Sequence, residues 1–285
     1  MNKLQEKFIH GRISGIPYRL WKSSEKKRMA VRRRYENVAK ESIPVFLLGS
    51  GRSGTNMLTR ALSNSYQVKL YNEDHPAAFD NFRVKDLSVI EELNEQDFYL
   101  IKLYKPILDT NMALQFLDRF PRSKIIFIFR NVSDVVNSSI KRFGLENWPN
   151  RVLDWVENDF DEFDLASPPE NLKEYIRSMW QADMTPADSI ALYWLFYNRL
   201  YFDLGLDQSK RTMLVNYETI VTQPNVEIEK ICDFIGIKFS TALHQRVFSS
   251  SVKRNNPPAI REQLRKESEL LWNRLADAAG LSQRI

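Results

Sequence analysis

The stretch Gly49-Ser50-Gly51-Arg52-Ser53-Gly54-Thr55-Asn56 constrains this chain more than any other. It follows a short apolar run, Val45-Phe46-Leu47-Leu48, and opens onto a helical pattern from Met57 to Leu62. An apolar run of that length, ended by glycine, suits a buried parallel strand. A glycine-rich turn between such a strand and a helix leaves backbone N–H groups free and aims the positive end of the helix dipole at the turn. Together these make an anion cradle. The plainer reading is a glycine turn that only reverses the chain, so the remaining sequence has to decide.

The rest of the chain reads as alternating strands and helices. Val68 to Tyr71 and Phe98 to Leu103 read as strands, and Lys124-Ile125-Ile126-Phe127-Ile128-Phe129 is the clearest one. Arg130 follows it, then a helix to about Lys141. Thr212 to Asn216 is a further strand, followed by a helix from Val226 to Phe234. Strands separated by helices need parallel crossovers, so the expected fold class is α/β, a three-layer α/β/α sandwich around a central parallel sheet. At 285 residues and 43% apolar, the chain suits one such domain with insertions. Residues 44–285 are assigned to it. Between Leu145 and Pro186 the pattern breaks into an acidic, aromatic stretch with Trp148, Trp155, Phe160, Phe163 and Trp180. An insertion of this kind beside a parallel sheet is expected to wall the acceptor side of a cleft.

Residues 1–43 differ in character, with Lys22, Lys26, Lys27, Arg28, Arg32, Arg33 and Arg34 close together. They read either as a solvated helical extension or as a patch for an anionic acceptor or membrane surface. The net charge of +5 favours anionic partners generally: phosphorylated cofactors, anionic glycans, lipid surfaces or nucleic acid. The single cysteine, Cys232, lies in an apolar helical pattern and reads as core; alone it cannot form an internal disulfide. No segment has the apolar length to span a bilayer, and the first residues carry no signal-peptide pattern. A cytoplasmic location, with peripheral membrane contact through the basic stretch, is the expectation.

The turn admits three anions. An ATP or GTP loop needs Gly-x-x-x-x-Gly-Lys-Ser/Thr, but Thr55 stands at the Lys position and no strand ends in an Asp for magnesium. A dinucleotide fold is a real competitor: Gly49-x-Gly51-x-x-Gly54 fits its fingerprint, with Glu73 and Asp74 some twenty residues on. The third reading is a phosphosulfate loop. There Arg52 neutralises the anion, while Gly51, Ser53, Gly54, Thr55 and Asn56 offer backbone and side-chain donors.

Arg-Ser-Gly-Thr at this place resembles the sulfotransferases. So does Arg130-Asn131-Val132-Ser133-Asp134-Val135-Val136-Asn137-Ser138, where a strand-end Arg is followed eight residues later by a helical Ser. A third stretch is similar as well: Val215-Asn216-Tyr217-Glu218, then Pro224 and Phe234-Ile235-Gly236. The resemblance spans about Pro44 to Arg254. It implies a P-loop NTPase-like fold and 3′-phosphoadenosine 5′-phosphosulfate as co-substrate, with no metal and no nucleic-acid partner. It places the 5′-phosphosulfate at the loop and the 3′-phosphate at Arg130 and Ser138. Tyr217 is implied near the adenine, or else as a packing tyrosine, and Arg254 in a basic loop near the 3′-phosphate.

Catalysis of this transfer needs a cation at the leaving phosphate and a base for the acceptor. Arg52 supplies the first, with Lys102 as helper. Cytosolic members of the family carry a His in Lys-x-His-x-Pro; here the stretch is Lys102-Leu103-Tyr104-Lys105-Pro106, with Tyr104 at the His position. Carbohydrate and tyrosylprotein members instead place a Glu about twenty residues after the loop Arg, which implies Glu73 as base. His75 is the alternative, because its ordinary pKa lies nearer neutrality. The acceptor is a hydroxyl or amine: the tryptophans read more readily as core but slightly favour a carbohydrate, with a small molecule or lipid next and a protein tyrosine after that. A dinucleotide-dependent oxidoreductase and a non-catalytic nucleotide-binding protein stay open as alternatives.

Overall fold

The computed structural model describes residues 42–281, apart from 97–98, 146–147, 164, 246 and 248–255. The basic extension therefore lies almost wholly outside the described residues. Among the described residues seven strands are present: β1 (Ile43–Gly49), β2 (Val68–Tyr71), β3 (Phe79–Asp80), β4 (Arg83–Val84), β5 (Ile101–Tyr104), β6 (Lys124–Phe129) and β7 (Thr212–Asn216). Five of them form one sheet in the order β2-β5-β1-β6-β7, every pair parallel. β3 and β4 pair as a small antiparallel hairpin. Its two-residue turn, Asn81-Phe82, has φ +46° and +67°, the positive pair that matches strand twist in tight hairpins.

Alternation along the strands splits the core in two. Phe46 and Leu48 of β1 point to the same face as Ile125, Phe127 and Phe129 of β6. Val45, Leu47, Ile126, Ile128 and Val215 point to the other. Both sets are fully or almost fully buried, as expected when helices cover both faces of a parallel sheet. The second face is covered by α1 (Thr55–Leu62), which contributes Leu58, Ala61 and Leu62. The first face carries α2 (Leu87–Glu95), α3 (Ala113–Arg119) and α4 (Val132–Phe143).

The insertion adds α5 (Trp148–Glu157) and α6 (Glu170–Met179) to that first face. Both pack on α7 (Pro186–Asp203), as do α4 and the late α10 (Glu262–Ala278). Surrounded in this way, α7 is buried without a break from Asp188 to Asn198. A Thr185–Asp188 capping box starts it. Two more helices, α8 (Tyr217–Thr222) and α9 (Pro224–Ile235), complete the second face, with Cys232 inside it. Burial raises the Cys232 thiol to about 12, in keeping with a core role. Among the described residues no helix is long and apolar enough to cross a membrane.

Candidate active site

Because all five main strands run parallel, the turns after β1, β2, β5, β6 and β7 emerge at one edge of the sheet, where ligands of such folds bind. The turn after β1 is held from several sides. The Gly49 N–H donates to Thr110 Oγ1 (3.2 Å), and Thr110 Oγ1 lies 3.3 Å from the Gly49 carbonyl. Gly49 has φ +128° and Gly54 φ +95°; a Cβ on Gly54 would overlap the Tyr217 ring. Arg52 has φ +66°, a left-handed setting that costs an L-residue roughly 1–2 kcal/mol and persists only where surroundings enforce it.

Arg52 is that enforced residue. Its Nε donates to Ser138 Oγ at 3.0 Å, and its carbonyl accepts from Arg130 Nη1 at 3.3 Å. Burial, then the neighbouring Arg142 and Arg130, pull its guanidinium below the usual value, with Glu73 acting oppositely. The turn therefore holds more positive charge than its own carboxylates offset, which suits a polyanion. Arg130 is itself positioned: Nη2 lies 3.4 Å from Asp134, its guanidinium sits 4.3 Å over the Tyr217 ring, and Trp194 Nε1 donates to its carbonyl at 2.8 Å. Asn131 caps α4 by accepting from the Ser133 N–H (3.0 Å), while its own N–H donates to Glu218. Burial raises the Glu218 carboxyl, opposed by those hydrogen bonds and by Arg130.

Beyond β2 and β5 lies a second polar group. Lys105, 1% exposed, donates to Glu73 Oε1 at 2.8 Å and to Asn56 Oδ1 at 2.7 Å. A buried ammonium needs such acceptors, because leaving it unpaired costs several kcal/mol. Glu73 is 26% exposed, so it faces both this cation and solvent. Lys105 is a buried cation at this edge that the reading of the sequence did not single out. Lys102 was expected to help at the loop, but its ammonium donates to the Leu93 carbonyl of α2. The reason is pleat parity. Leu103 and Lys105 follow the α1 face of the sheet, whereas Lys102 and Tyr104 follow the opposite one. Tyr104 is accordingly a core residue, stacked on Tyr71 at 4.9 Å and donating to Asn94 Oδ1 at 2.9 Å.

Other expectations also shift. The Ser53 hydroxyl is turned inward, 2.6 Å from Ser50 Oγ, so Ser53 braces the turn instead of presenting its side chain. Tyr217 is buried, with one face under Arg130 and its edge under Gly54. His75 Nδ1 accepts from the Ala77 N–H (3.2 Å) and its ring sits edge-on to Tyr71; burial, then Lys69, lowers its pKa. Gly51 lies in the turn, and Thr55 and Asn56 are the first residues of α1. Arg254 lies outside the described residues. Trp148 and Trp155 are buried around Tyr193, so neither offers an open ring face. Among the described residues no three His, Cys, Asp or Glu side chains gather in a metal-holding group.

The chain is similar to known proteins. Cytosolic sulfotransferase 7 of Arabidopsis thaliana is 23% identical over 208 residues, 69% of this chain. The chain spans 56% of that relative's length. Among solved structures, a sulfotransferase from Alicyclobacillus acidocaldarius matches at 16% identity and a TM-score of 0.47, covering 82% of this chain and 93% of that one. Mouse sulfotransferase SULT7A1 complexed with PAP matches at 14% and 0.46, covering 85% and 89%. The family model described as Sulfotransferase domain matches residues 42–274, the greater part of the sequence, and the chain belongs to that family.

Proposed function

We propose that this protein transfers a sulfuryl group from 3′-phosphoadenosine 5′-phosphosulfate to a hydroxyl or amine of an acceptor. One observation carries the reading: Arg52, Arg130 and Ser138 converge at the sheet edge, with Arg142 adding to a field that disfavours the Arg52 charge. A bisphosphorylated nucleotide relieves that repulsion. The residues fit the donor. Arg52, the Gly51–Gly54 backbone and the start of α1 would hold its 5′ end, and Arg130 with Ser138 its 3′-phosphate. When bound, the donor supplies an activated sulfuryl group on a good leaving phosphate. Glu73 takes the acceptor's proton at its carboxylate, and Lys105 fixes that carboxylate beside Asn56.

A dinucleotide oxidoreductase is disfavoured, because Glu73, its ribose ligand by spacing, is ion-paired with Lys105. For the acceptor, a carbohydrate would call for open aromatic faces, which Trp148 and Trp155 do not present. A hydroxyl on a partly apolar body is favoured instead by Phe143, 54% exposed with its ring centroid 6.0 Å from the Arg52 guanidinium. Membrane contact through the basic N-terminal stretch is a separate proposal, tested by co-sedimentation with anionic vesicles. The deciding experiment for the donor is calorimetry with 3′-phosphoadenosine 5′-phosphate, ATP and NAD. Tight binding of the bisphosphate alone supports the reading, and a preference for NAD or ATP overturns it. A protein that binds the bisphosphate but turns over no acceptor would be a non-catalytic relative.

A further inference from the structure

Tyr193 and Trp194 are neighbours on α7, and each touches one of the two arginine-bearing turns. Trp194 Nε1 holds the Arg130 carbonyl at 2.8 Å. Tyr193 meets the turn after β1: a Cβ built on Gly51 would sit 3.4 Å from its phenol oxygen and 4.0 Å from its ring. Gly51 immediately precedes Arg52, the strained residue of the site.

The Tyr193 ring has little freedom. Trp148 meets it edge-on at 5.3 Å, Trp155 stacks at 5.7 Å, and Tyr197 lies 4.6 Å away, all between ring centroids. The Arg151 guanidinium sits 5.6 Å from the ring centroid, and its Nη2 is 3.7 Å from Glu162. Glu162 also accepts from the Trp155 indole N–H and lies 3.5 Å from Arg83 Nη2 of the β3–β4 hairpin. Arg83 in turn donates to Asp109 (3.0 Å) and the Leu108 carbonyl (2.7 Å), just past Lys105. Burial pushes the Tyr193 phenol up, so it stays protonated and neutral. A continuous set of contacts thus runs from the insertion through Tyr193 to the donor turn.

We propose that Tyr193 is a positioning residue: its hydroxyl holds the Gly51–Arg52 turn in shape, and through Arg151 and Glu162 it ties that turn to the insertion and the hairpin. The proposal rests on the donor reading for its consequence, a weaker grip on the nucleotide when the hydroxyl is removed. It does not rest on that reading for the contact itself. Tyr193 would otherwise be a core aromatic whose loss lowers stability and nothing more.

The test compares wild type, Tyr193→Phe and Tyr201→Phe in the full chain. Tyr201 is a buried tyrosine of the same helix whose ring packs on Phe127, remote from the turn. Native-state hydrogen exchange reads the Gly51 and Arg52 amides, and calorimetry reads 3′-phosphoadenosine 5′-phosphate. Tyr193→Phe is expected to speed exchange at both amides by about tenfold, leave Leu47 and Leu48 unchanged, and weaken the nucleotide by about tenfold. Tyr201→Phe is expected to do neither. Unchanged exchange at Gly51 and Arg52 in Tyr193→Phe, or an equal change in Tyr201→Phe, overturns the proposal. If wild type takes no nucleotide, the donor reading fails, and the exchange measurement still decides the positioning. Should Tyr193→Phe not fold, Arg151→Met keeps the hydroxyl and cuts the link to Glu162; unchanged exchange at Gly51 there refutes the coupling.

Discussion

Replacing Glu73 by Gln separates its observed role as counter-ion of Lys105 from its proposed role as base. The Gln side chain keeps an oxygen for Lys105 but removes the negative charge 2.8 Å from a 1% exposed ammonium. At that distance and an effective dielectric of about 20, the direct attraction is about 6 kcal/mol. Most of it offsets the desolvation of Lys105, and water reaching the partly exposed carboxylate screens more. The expected net loss is therefore ~1–2 kcal/mol, which lowers Tm by about 2–4 °C per kcal/mol in a domain of this size. A general base at this place would contribute about 10²–10⁴-fold to turnover. The variant should thus melt a few degrees lower, bind 3′-phosphoadenosine 5′-phosphate nearly as wild type, and lose at least about 100-fold in turnover on any acceptor found. Adding Lys105→Met to Glu73→Gln should cost less stability than Lys105→Met alone, because the pair is already broken. A variant that melts lower yet turns over normally would show Glu73 to be only the counter-ion of Lys105, and the base would have to be sought at His75.

Arg130→Met should weaken the 3′,5′-bisphosphate by about 1.5–3 kcal/mol while barely affecting the 5′-monophosphate; equal losses by calorimetry would refute the 3′-phosphate assignment. Gly54→Ala forces a Cβ into Tyr217 at φ +95°, so a destabilisation of about 2–4 kcal/mol with loss of nucleotide binding is expected in chemical denaturation. An unchanged midpoint would mean that the turn relaxes freely. Chelation by EDTA should leave turnover intact, since Thr55 stands where a metal-nucleotide loop carries its Lys; abolished activity that magnesium restores would contradict this. His75 is lowered from its ordinary value by burial and Lys69, so the unfolded chain takes up the proton first as pH falls. Its stabilising contribution is present above about pH 6.5 and lost on acidification, and His75→Phe should flatten the fall in denaturation midpoint between about pH 7 and pH 5. A slope identical to wild type would exclude His75 as its source.

What the sequence disclosed was whatever depends on neighbours in the chain. β1 and β6 announce themselves as apolar runs ended by Gly49 and Arg130, and a turn or capped helix follows each. α7 carries no comparable signal. It is apolar on every side, so it lacks the one-sided period that marks a surface helix, and only the packing of four other helices explains it. The β3–β4 hairpin was equally silent, because Asn81-Phe82 puts a bulky residue where glycine usually marks the turn. Within the site, spacing chose Lys102 over Lys105. Spacing alone does not say on which residue a strand ends, and a shift of one position moves a side chain to the opposite face. The tryptophans were undecided for a related reason: a ring in an insertion is more often core, but only its neighbours show whether it is.

The unbroken burial of α7 limits how this protein can acquire new acceptors. In many α/β enzymes a loop can be exchanged without disturbing the scaffold beneath it. Here the insertion is also the cover of the central helix: α5 and α6 shield α7, and α7 braces both arginine-bearing turns through Tyr193 and Trp194. Grafting a foreign insertion would uncover a helix with no polar face and loosen the donor turn at the same time. Diversification is therefore confined to rim positions such as Phe82, Phe143 and Leu145, whose side chains are more than half exposed. Libraries restricted to those three positions should keep far more folded members than libraries that resample residues 148–180 as a block.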